Sequence, residues 1–188
     1  MPPVLPFETL CADMEKNVFP VLDTDFRSEL FAAESFLPVL ERSPRAGFIQ
    51  ISSAVTCAPL PGMSMYAAAK AASRQFTEAL GQELKGRVYV LCVCPGFART
   101  SLFRGMPAAC FSPLVRATCM PAGRMAEKIL RAVSHRRRLV FPGADGRFMR
   151  LTYNLFGTRA LDFFGWVLRI SGIQLFAGVF PHDNKKEK

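Results

Sequence analysis

The chain has 188 residues, of which 50% are hydrophobic, 11% aromatic and 21% charged, and its formal net charge is +9. This composition is too apolar for an intrinsically disordered chain, and the length suits one domain with a buried core. No apolar run reaches the about 18 uncharged residues of a transmembrane helix, and residues 1–10 lack the pattern of a secretory signal peptide.

The N-terminal half contains two predicted helices around one predicted strand. Apolar residues at helical spacing predict a helix over residues 26–41, and the short apolar segment Gly47–Ile51 (GFIQI) predicts a buried strand. Residues 64–85 are rich in helix-forming residues, and Gly86 supplies the stop. One stripe along this helix is expected to face the core: Met65, Ala69, Ala72, Phe76, Leu80 and Leu84.

The middle of the chain continues the alternation of strands and helices. Residues 87–94 (RVYVLCVC) predict a second buried strand that ends at Pro95–Gly96, residues 97–121 look irregular, and a helix is expected over 124–134. Residues 139–141 predict a third short strand. This order implies crossover connections and a mainly parallel sheet, whose ligands bind beyond the carboxyl ends of its strands.

The C-terminal part is basic and aromatic. Residues 1–130 carry 13 basic and 11 acidic groups, whereas residues 131–188 carry 11 and 4, so most of the positive charge lies after residue 130. The segment 151–180 suits an amphipathic helix at a membrane surface, and equally a lid over the substrate or packing helices in a dimer. Without a recognised nucleic-acid module, the charge does not indicate nucleic-acid binding. Residues 181–188 are expected to be disordered.

The cysteines predict no metal site. None of the six forms a Cys-x-x-Cys pair, and the two histidines complete no ligand pattern. Cys92 and Cys94 are expected to lie on one side of the second strand as small core residues. Reduced, buried thiols favour a cytoplasmic location.

Three polar residues form a candidate catalytic group. Tyr66 and Lys70 are four apart near the start of a helix, so they share one face, and Ser53 closes the first predicted strand. A nearby ammonium favours the phenolate, which lets a tyrosine exchange a proton. A serine hydroxyl can hydrogen-bond a carbonyl oxygen as negative charge develops on it.

Together these motifs resemble the short-chain dehydrogenase/reductase (SDR) family. The resemblance runs from about residue 23 to residue 143 and includes Ile51-Ser52-Ser53, Tyr66-Ala-Ala-Ala-Lys70 and Cys94-Pro95-Gly96-Phe97-Ala98-Arg99-Thr100. It implies a Rossmann-like α/β fold in which Ser53 orients the substrate carbonyl, Tyr66 is the acid/base and Lys70 binds the nicotinamide ribose. It also implies that Pro95, Gly96, Ala98 and Thr100 flank the nicotinamide.

One catalytic position departs from the family pattern. The resemblance implies an asparagine in the helix before the serine strand, and the spacing to Pro38 and Tyr66 places Asp25 there. An aspartate adds negative charge beside the lysine and lacks the amide donor. Asn17 is the alternative candidate for this role.

The family's glycine-rich turn, TGxxxGxG, has no match in this sequence. Only Gly47 and Gly62 precede Tyr66, so the chain is expected to be N-terminally truncated relative to the family and to bind cofactor weakly. Residues 1–146 then form the catalytic half of the domain, and 147–180 form a helical extension. The strand Gly47–Ile51 is expected to have an open edge that favours self-association.

The resemblance implies an NAD(P)-dependent oxidoreductase, with NADP or NAD as cofactor. Hydride would pass to or from a carbonyl or alcohol carbon of a small molecule, and the apolar segments after Thr100 and after Phe148 suggest a hydrophobic substrate. The long helix over residues 64–85 suits a homodimer or higher oligomer. The alternative is a catalytically deficient fragment that acts through dimerisation or association with a membrane surface.

Overall fold

The computed structural model describes residue 15 and residues 18–99 and 119–170. Its helices are α1 (Phe19–Leu22), α2 (Ser28–Leu40), α3 (Ser64–Glu83), α4 (Ala122–Ser134), α5 (Ala144–Phe156) and α6 (Arg159–Ile170). A π-helical turn (Asp23–Arg27) joins α1 to α2, and a 3-10 turn (Ala54–Thr56) follows the first strand. The strands are β1 (Gly47–Ile51), β2 (Tyr89–Val93), β3 (Ala98–Arg99), β4 (Met120–Pro121) and β5 (Leu139–Val140).

A parallel sheet of order β1-β2-β5 lies at the centre of the described structure. Ile49 pairs with Leu91 and Ile51 with Val93, so β1 and β2 end together. Leu91 and Val93 are fully buried, because β2 is the middle strand and helices cover both faces. The α/β architecture with a mainly parallel, Rossmann-like sheet is therefore confirmed.

The two faces of the sheet have separate apolar layers. On one face α2 and α3 pack on the sheet through a cluster that contains Leu37, Leu80, Leu84 and Val90. On the other face Leu91 and Val93 meet α4. Gly86 has φ +86°, a conformation that favours glycine, and it follows the end of α3 as the sequence predicts.

The helices α5 and α6 pack beside the carboxyl ends of β1 and β2. Met149 and Phe164 are buried in the same cluster as Ala54 and Cys94. The predicted division at residue 146 falls within α5, and the two-part organisation of the domain stays a prediction. In the described part of the chain, no helix has the length and apolarity that crossing a bilayer requires.

Several details differ from the sequence-based expectations. The first helical segment begins at Phe19 rather than at residue 26, because α1 and the π turn extend it toward the N-terminus. The buried face of α3 includes Ser73 and Thr77, whereas Met65, Ala72 and Phe76 of the predicted stripe are only partly buried. Short strands β3 and β4 pair within the segment expected to be irregular.

The core position predicted for two cysteines is confirmed. Cys92 and Cys94 are fully buried free thiols whose sulfur atoms lie 3.8 Å apart, on the same side of β2 and its extension. They belong to the apolar cluster under the carboxyl end of the sheet. Cys11 and Cys110 lie outside the described residues.

Candidate active site

Ser53 lies directly beyond β1, at the edge where the parallel strands end. The Ala54 amide donates to the carbonyl of Pro95 at 2.8 Å, so the chain after β1 is tied to the chain after β2. The hydroxyl of Ser53 accepts from the Val55 amide at 3.4 Å as the 3-10 turn begins. Ser53 is almost fully buried and faces the phenol of Tyr66.

Tyr66 and Lys70 lie on the first two turns of α3 and share one face. The Lys70 Nζ is 5.7 Å from the centre of the Tyr66 ring. The Ser52 hydroxyl donates to the Lys70 carbonyl oxygen at 2.8 Å, which fixes α3 against the end of β1. Ser52 therefore positions the helix face that carries Tyr66 and Lys70, a role that local sequence patterns do not reveal.

Asp25 reaches this face from the π turn between α1 and α2. Its Oδ1 is 2.9 Å from Lys70 Nζ, and the two side chains are only 24% and 12% exposed. A salt bridge with this little exposure is screened less by solvent than a surface pair. Asp25 is the middle residue of the π turn Asp23–Arg27. Turns of this kind are frequent at functional sites. Asn17 lies outside the described residues.

The surroundings of Tyr66 have opposing effects on its acidity. Burial raises the pKa of Tyr66 above its ordinary value of 10.0, whereas the Lys70 charge and the hydrogen bond with Ser53 lower it. The Asp25 carboxylate raises this pKa further. Because Asp25 pairs with the cation that would stabilise the phenolate, the aspartate weakens the activating effect of Lys70.

Pro95 and Gly96 follow β2, beside the end of β1. The Phe97 amide donates to Asp145 Oδ2 at 2.5 Å, and the Asp145 carboxylate occupies the space that a side chain at position 96 would need. Asp145 Oδ1 is buried and has no hydrogen-bond partner within the described ranges. No local sequence pattern points to Asp145, because its partner Phe97 is 48 residues away.

The remaining predicted cofactor contacts lie beyond this turn. Ala98 begins β3, which pairs in parallel with β4 through Met120. The structure therefore brings together Ser53, Tyr66, Lys70 and Asp25, and it places the Pro95–Gly96 turn on the neighbouring strand end. Thr100 lies outside the described residues.

A hydroxyl, a phenol and an ammonium meet here at the carboxyl end of a parallel sheet. Ser53 can hydrogen-bond a carbonyl oxygen, Tyr66 can give or take a proton at that oxygen, and Lys70 can stabilise the phenolate. This combination suits proton exchange with a carbonyl or an alcohol. The apolar cluster that Tyr66 contacts lowers the local dielectric and strengthens these interactions.

The opposing effects on Tyr66 lead to the first prediction. Replacing Asp25→Asn removes the negative charge beside Lys70, so the pKa of Tyr66 should fall. This pKa is measured from the ultraviolet absorbance of the phenolate as a function of pH. The chain has three tyrosines, so the titration curve of Tyr66→Phe is subtracted to isolate the contribution of Tyr66. The matched control is Asp23→Asn, which removes an exposed carboxylate of the same turn. Equal midpoints for Tyr66 in both variants would contradict the argument.

Known proteins resemble this chain in fold and in sequence. A short chain dehydrogenase from Burkholderia cenocepacia J2315, solved in complex with NADP, superposes with a TM-score of 0.65 and 24% identity over 80% of this chain and 60% of that one. SadH from Mycobacterium tuberculosis is 37% identical over 97 residues, which cover 50% of this chain and 35% of SadH. Human epidermal retinol dehydrogenase 2 is 28% identical over 138 residues, which cover 70% of this chain and 42% of the relative.

The chain thus aligns with less than half of these two curated relatives. The sequence model of the short chain dehydrogenases matches residues 6–109, which is more than half of the chain. The matched range contains the strand ends, Tyr66 and Lys70. The chain belongs to the short chain dehydrogenase family of oxidoreductases.

Proposed function

We propose that this chain carries the catalytic site of an NAD(P)-dependent oxidoreductase that interconverts a carbonyl and an alcohol. The observation that carries the proposal is the convergence of Ser53, Tyr66 and Lys70 at the carboxyl end of the parallel sheet. Asp25 completes the group through its salt bridge to Lys70. Family membership supports the class of reaction.

Each side chain has a distinct role in the proposed reaction. Ser53 Oγ donates a hydrogen bond to the substrate oxygen, and Tyr66 Oη gives that oxygen a proton during reduction or takes it during oxidation. The Lys70 ammonium stabilises the phenolate form of Tyr66, and Asp25 tempers that effect. Bound NAD(P) would supply or accept the hydride.

The residues present suit the nicotinamide and ribose part of this cofactor. An ammonium has three N–H donors, so Lys70 retains donors for a ribose hydroxyl while it contacts Asp25. Asp145 Oδ1, a buried acceptor beside the Pro95–Gly96 turn, suits the N–H of a carboxamide. Ala98 and Thr100 stay proposed contacts, by resemblance to the family. The solved Burkholderia relative is in complex with NADP.

The surroundings of the site support a hydrophobic substrate. Tyr66 packs against the buried cluster beneath the strand ends, as do Phe97, Leu161 and Leu168. Two of these residues come from α6, so the helical extension packs against the same apolar cluster as the tyrosine. The name of the human relative, a retinol dehydrogenase, also indicates a lipophilic substrate in a similar protein.

A second proposal is contact of α5 and α6 with an anionic membrane surface. Phe148, Leu151 and Leu155 lie at helical spacing on α5 and are 53%, 58% and 67% exposed. Beside them a cleft of about 440 Å³ is lined by Arg137, Arg147 and Arg150, with other residues. Exposed apolar side chains next to arginines are typical of peripheral membrane helices.

A third proposal is self-association through β1. In the described sheet β1 pairs only with β2, and its outer edge is open. Ile49 and Ile51 are 41% and 44% exposed, so the edge combines unpaired backbone groups with apolar side chains. An exposed apolar edge is a template for pairing with another chain, which supports a homodimer or a higher oligomer.

Activity tests the first proposal. We expect the 188-residue chain to consume NADPH or NADH in the presence of apolar aldehydes or ketones, measured by nicotinamide absorbance, with the cofactor in large excess because the sequence predicts weak cofactor binding. Tyr66→Phe should lower kcat by about 10²–10⁴-fold, because the general acid is lost. Tyr153→Phe, a change of the same chemistry on α5, should leave kcat unchanged. Full activity of Tyr66→Phe would refute the assigned role, and a wild-type chain inactive with both cofactors would count against the proposal.

The single tryptophan reports on membrane contact. Trp166 on α6 is 58% exposed, so its emission should shift to the blue when vesicles containing phosphatidylserine are added. Leu155→Asp should weaken the binding by about tenfold or more, since burying a leucine contributes roughly 1.5–3 kcal/mol. Leu130→Asp on α4 is the control, because Leu130 is 68% exposed on a different helix. Equal binding to neutral phosphatidylcholine vesicles would contradict the role of the arginines.

Sedimentation tests the open edge. Ile49→Lys places a charge on the exposed face of β1, and we expect it to shift the chain toward the monomer in analytical ultracentrifugation. Val39→Lys, on the exposed surface of α2, is the control for added charge. A monomeric wild-type chain at micromolar concentration would overturn this proposal.

A further inference from the structure

A second carboxyl lies behind the catalytic residues, and the proposed reaction does not use it. Glu29 is on α2, four residues after Asp25, and only 5% of its surface is exposed. It points between α2 and α3, where its Oε1 lies 2.8 Å from Thr77 Oγ1. Ser73, also on α3, is the other hydroxyl at this carboxyl, and it accepts a hydrogen bond from Gln50 of β1.

The number of protons available for hydrogen bonds around Glu29 indicates whether its carboxyl is protonated. Thr77 Oγ1 lies 2.7 Å from the Ser73 carbonyl oxygen and 2.8 Å from Glu29 Oε1. A hydroxyl has one proton, and the carbonyl oxygen can only accept. With the Thr77 proton on this carbonyl, the 2.8 Å contact between Thr77 and Glu29 takes its proton from the carboxyl. The two short contacts therefore favour a proton on Glu29 Oε1 that is donated to Thr77.

The second oxygen of the carboxyl leads to the same result. Glu29 Oε2 is buried and has no hydrogen-bond partner among the described residues, so a negative charge there would be poorly solvated. Burial raises the pKa of Glu29 above 4.5, against the opposing effects of Ser73, Thr77 and the Lys70 charge. The charged groups that face Glu29 are Lys70 on α3 and Asp25, which belongs to the same helical segment as Glu29. These two groups form a salt bridge with each other.

We propose that Glu29 is held as a neutral carboxylic acid between α2 and α3, and that it positions Asp25 on Lys70. The hydrogen bond from Glu29 to Thr77 joins the two helices four residues after Asp25 on one helix and seven residues after Lys70 on the other. This contact fixes how far the π turn extends toward the lysine. Glu29 is a positioning residue, because it acts through Asp25 and touches no reacting atom. Only its relevance to catalysis rests on the proposed function.

Infrared spectroscopy tests the protonation state directly. At neutral pH the wild-type chain should show the C=O stretching band of a buried, protonated carboxylic acid. Glu29→Gln should remove this band, whereas Glu34→Gln, which changes an exposed carboxyl on the same helix, should retain it. A wild-type spectrum without the band, or a band that persists in Glu29→Gln, would overturn the proposal.

The pH dependence of stability provides an independent measurement. A carboxyl whose pKa is raised on folding stabilises the fold at low pH and loses this effect as the pH rises through the folded pKa. The unfolding constant of the wild type, relative to Glu29→Gln, should therefore rise about tenfold per pH unit above 4.5, up to the raised pKa. Urea titrations at several pH values measure the ratio. A ratio that does not change with pH would contradict a neutral Glu29.

The positioning role is tested through Tyr66. Glu29→Ala should release Asp25 from Lys70 and lower the phenolate titration midpoint of Tyr66, whereas Glu29→Gln should leave it unchanged. In the double variant with Asp25→Asn, the two effects should not add, because both remove the same charge from Lys70. Additive shifts, or no shift in Glu29→Ala, would overturn the positioning role.

A further variant covers the case in which Glu29→Ala does not fold. Thr77→Val keeps the shape of the side chain and removes the acceptor, so the carboxylic C=O band should move to higher frequency. An unmoved band would show that Glu29 does not donate to Thr77, which contradicts the proposal. None of these measurements requires turnover, so an inactive enzyme would count against the proposed function and leave the assignment of Glu29 standing.

Discussion

The parallel pairing of β1 with β2 is the constraint on which the candidate site depends. Ile51 lies opposite Val93, so the residues after the two strands are neighbours. The Ser52 amide continues the pairing with a 2.7 Å hydrogen bond to Val93. The Ser52 hydroxyl then binds the backbone of α3 at Lys70, and Ser53 is left beside Tyr66. A shift of one residue in this register would exchange the two serines and separate Ser53 from Tyr66.

Lys70 is the electrostatic centre of the site. Its one positive charge acts on the Tyr66 phenol, on the Asp25 carboxylate and, more weakly than the hydrogen bonds there, on Glu29. The contact with Asp25 is direct, and it reduces the charge available to the phenol. Because Tyr66 and Glu29 share this cation with Asp25, removing the aspartate charge alters the pKa of Tyr66. The face of α3 that carries Lys70 and the buried face of α2 therefore form one electrostatic unit.

The sequence predicted the elements that local patterns determine. The strand Gly47–Ile51, the helix after residue 64 and the order of strands follow from short apolar runs and helical spacing, and the structure contains them. The positions of Ser53, Tyr66 and Lys70 relative to these elements were accessible for the same reason. The early start of the helix at Phe19 was not, since a π turn breaks the periodicity that would reveal it.

Other features depend on contacts that no local pattern contains. Ser73 and Thr77 are buried polar residues. A prediction of the buried face from apolar residues alone cannot include them. They are buried because Glu29 and Gln50 approach from other elements. The approach of Asp145 to Gly96 joins segments about 50 residues apart in the chain, so only the folded structure reveals it.

The π turn also bears on how this helix tolerates changes in length. A π turn contains one residue more than the α-helical turn it replaces, so it is equivalent to a single-residue insertion. Deleting that residue is absorbed by a return to regular α geometry, so the parts of the helix before and after the turn keep their faces. Winding all the present residues into regular α geometry would instead rotate the preceding part of the helix by about 100° relative to α2. Asp25 would then turn away from Lys70, while Glu29 kept its place against α3. The π geometry of this short segment, and not only its composition, thus preserves the link between the two carboxyl groups.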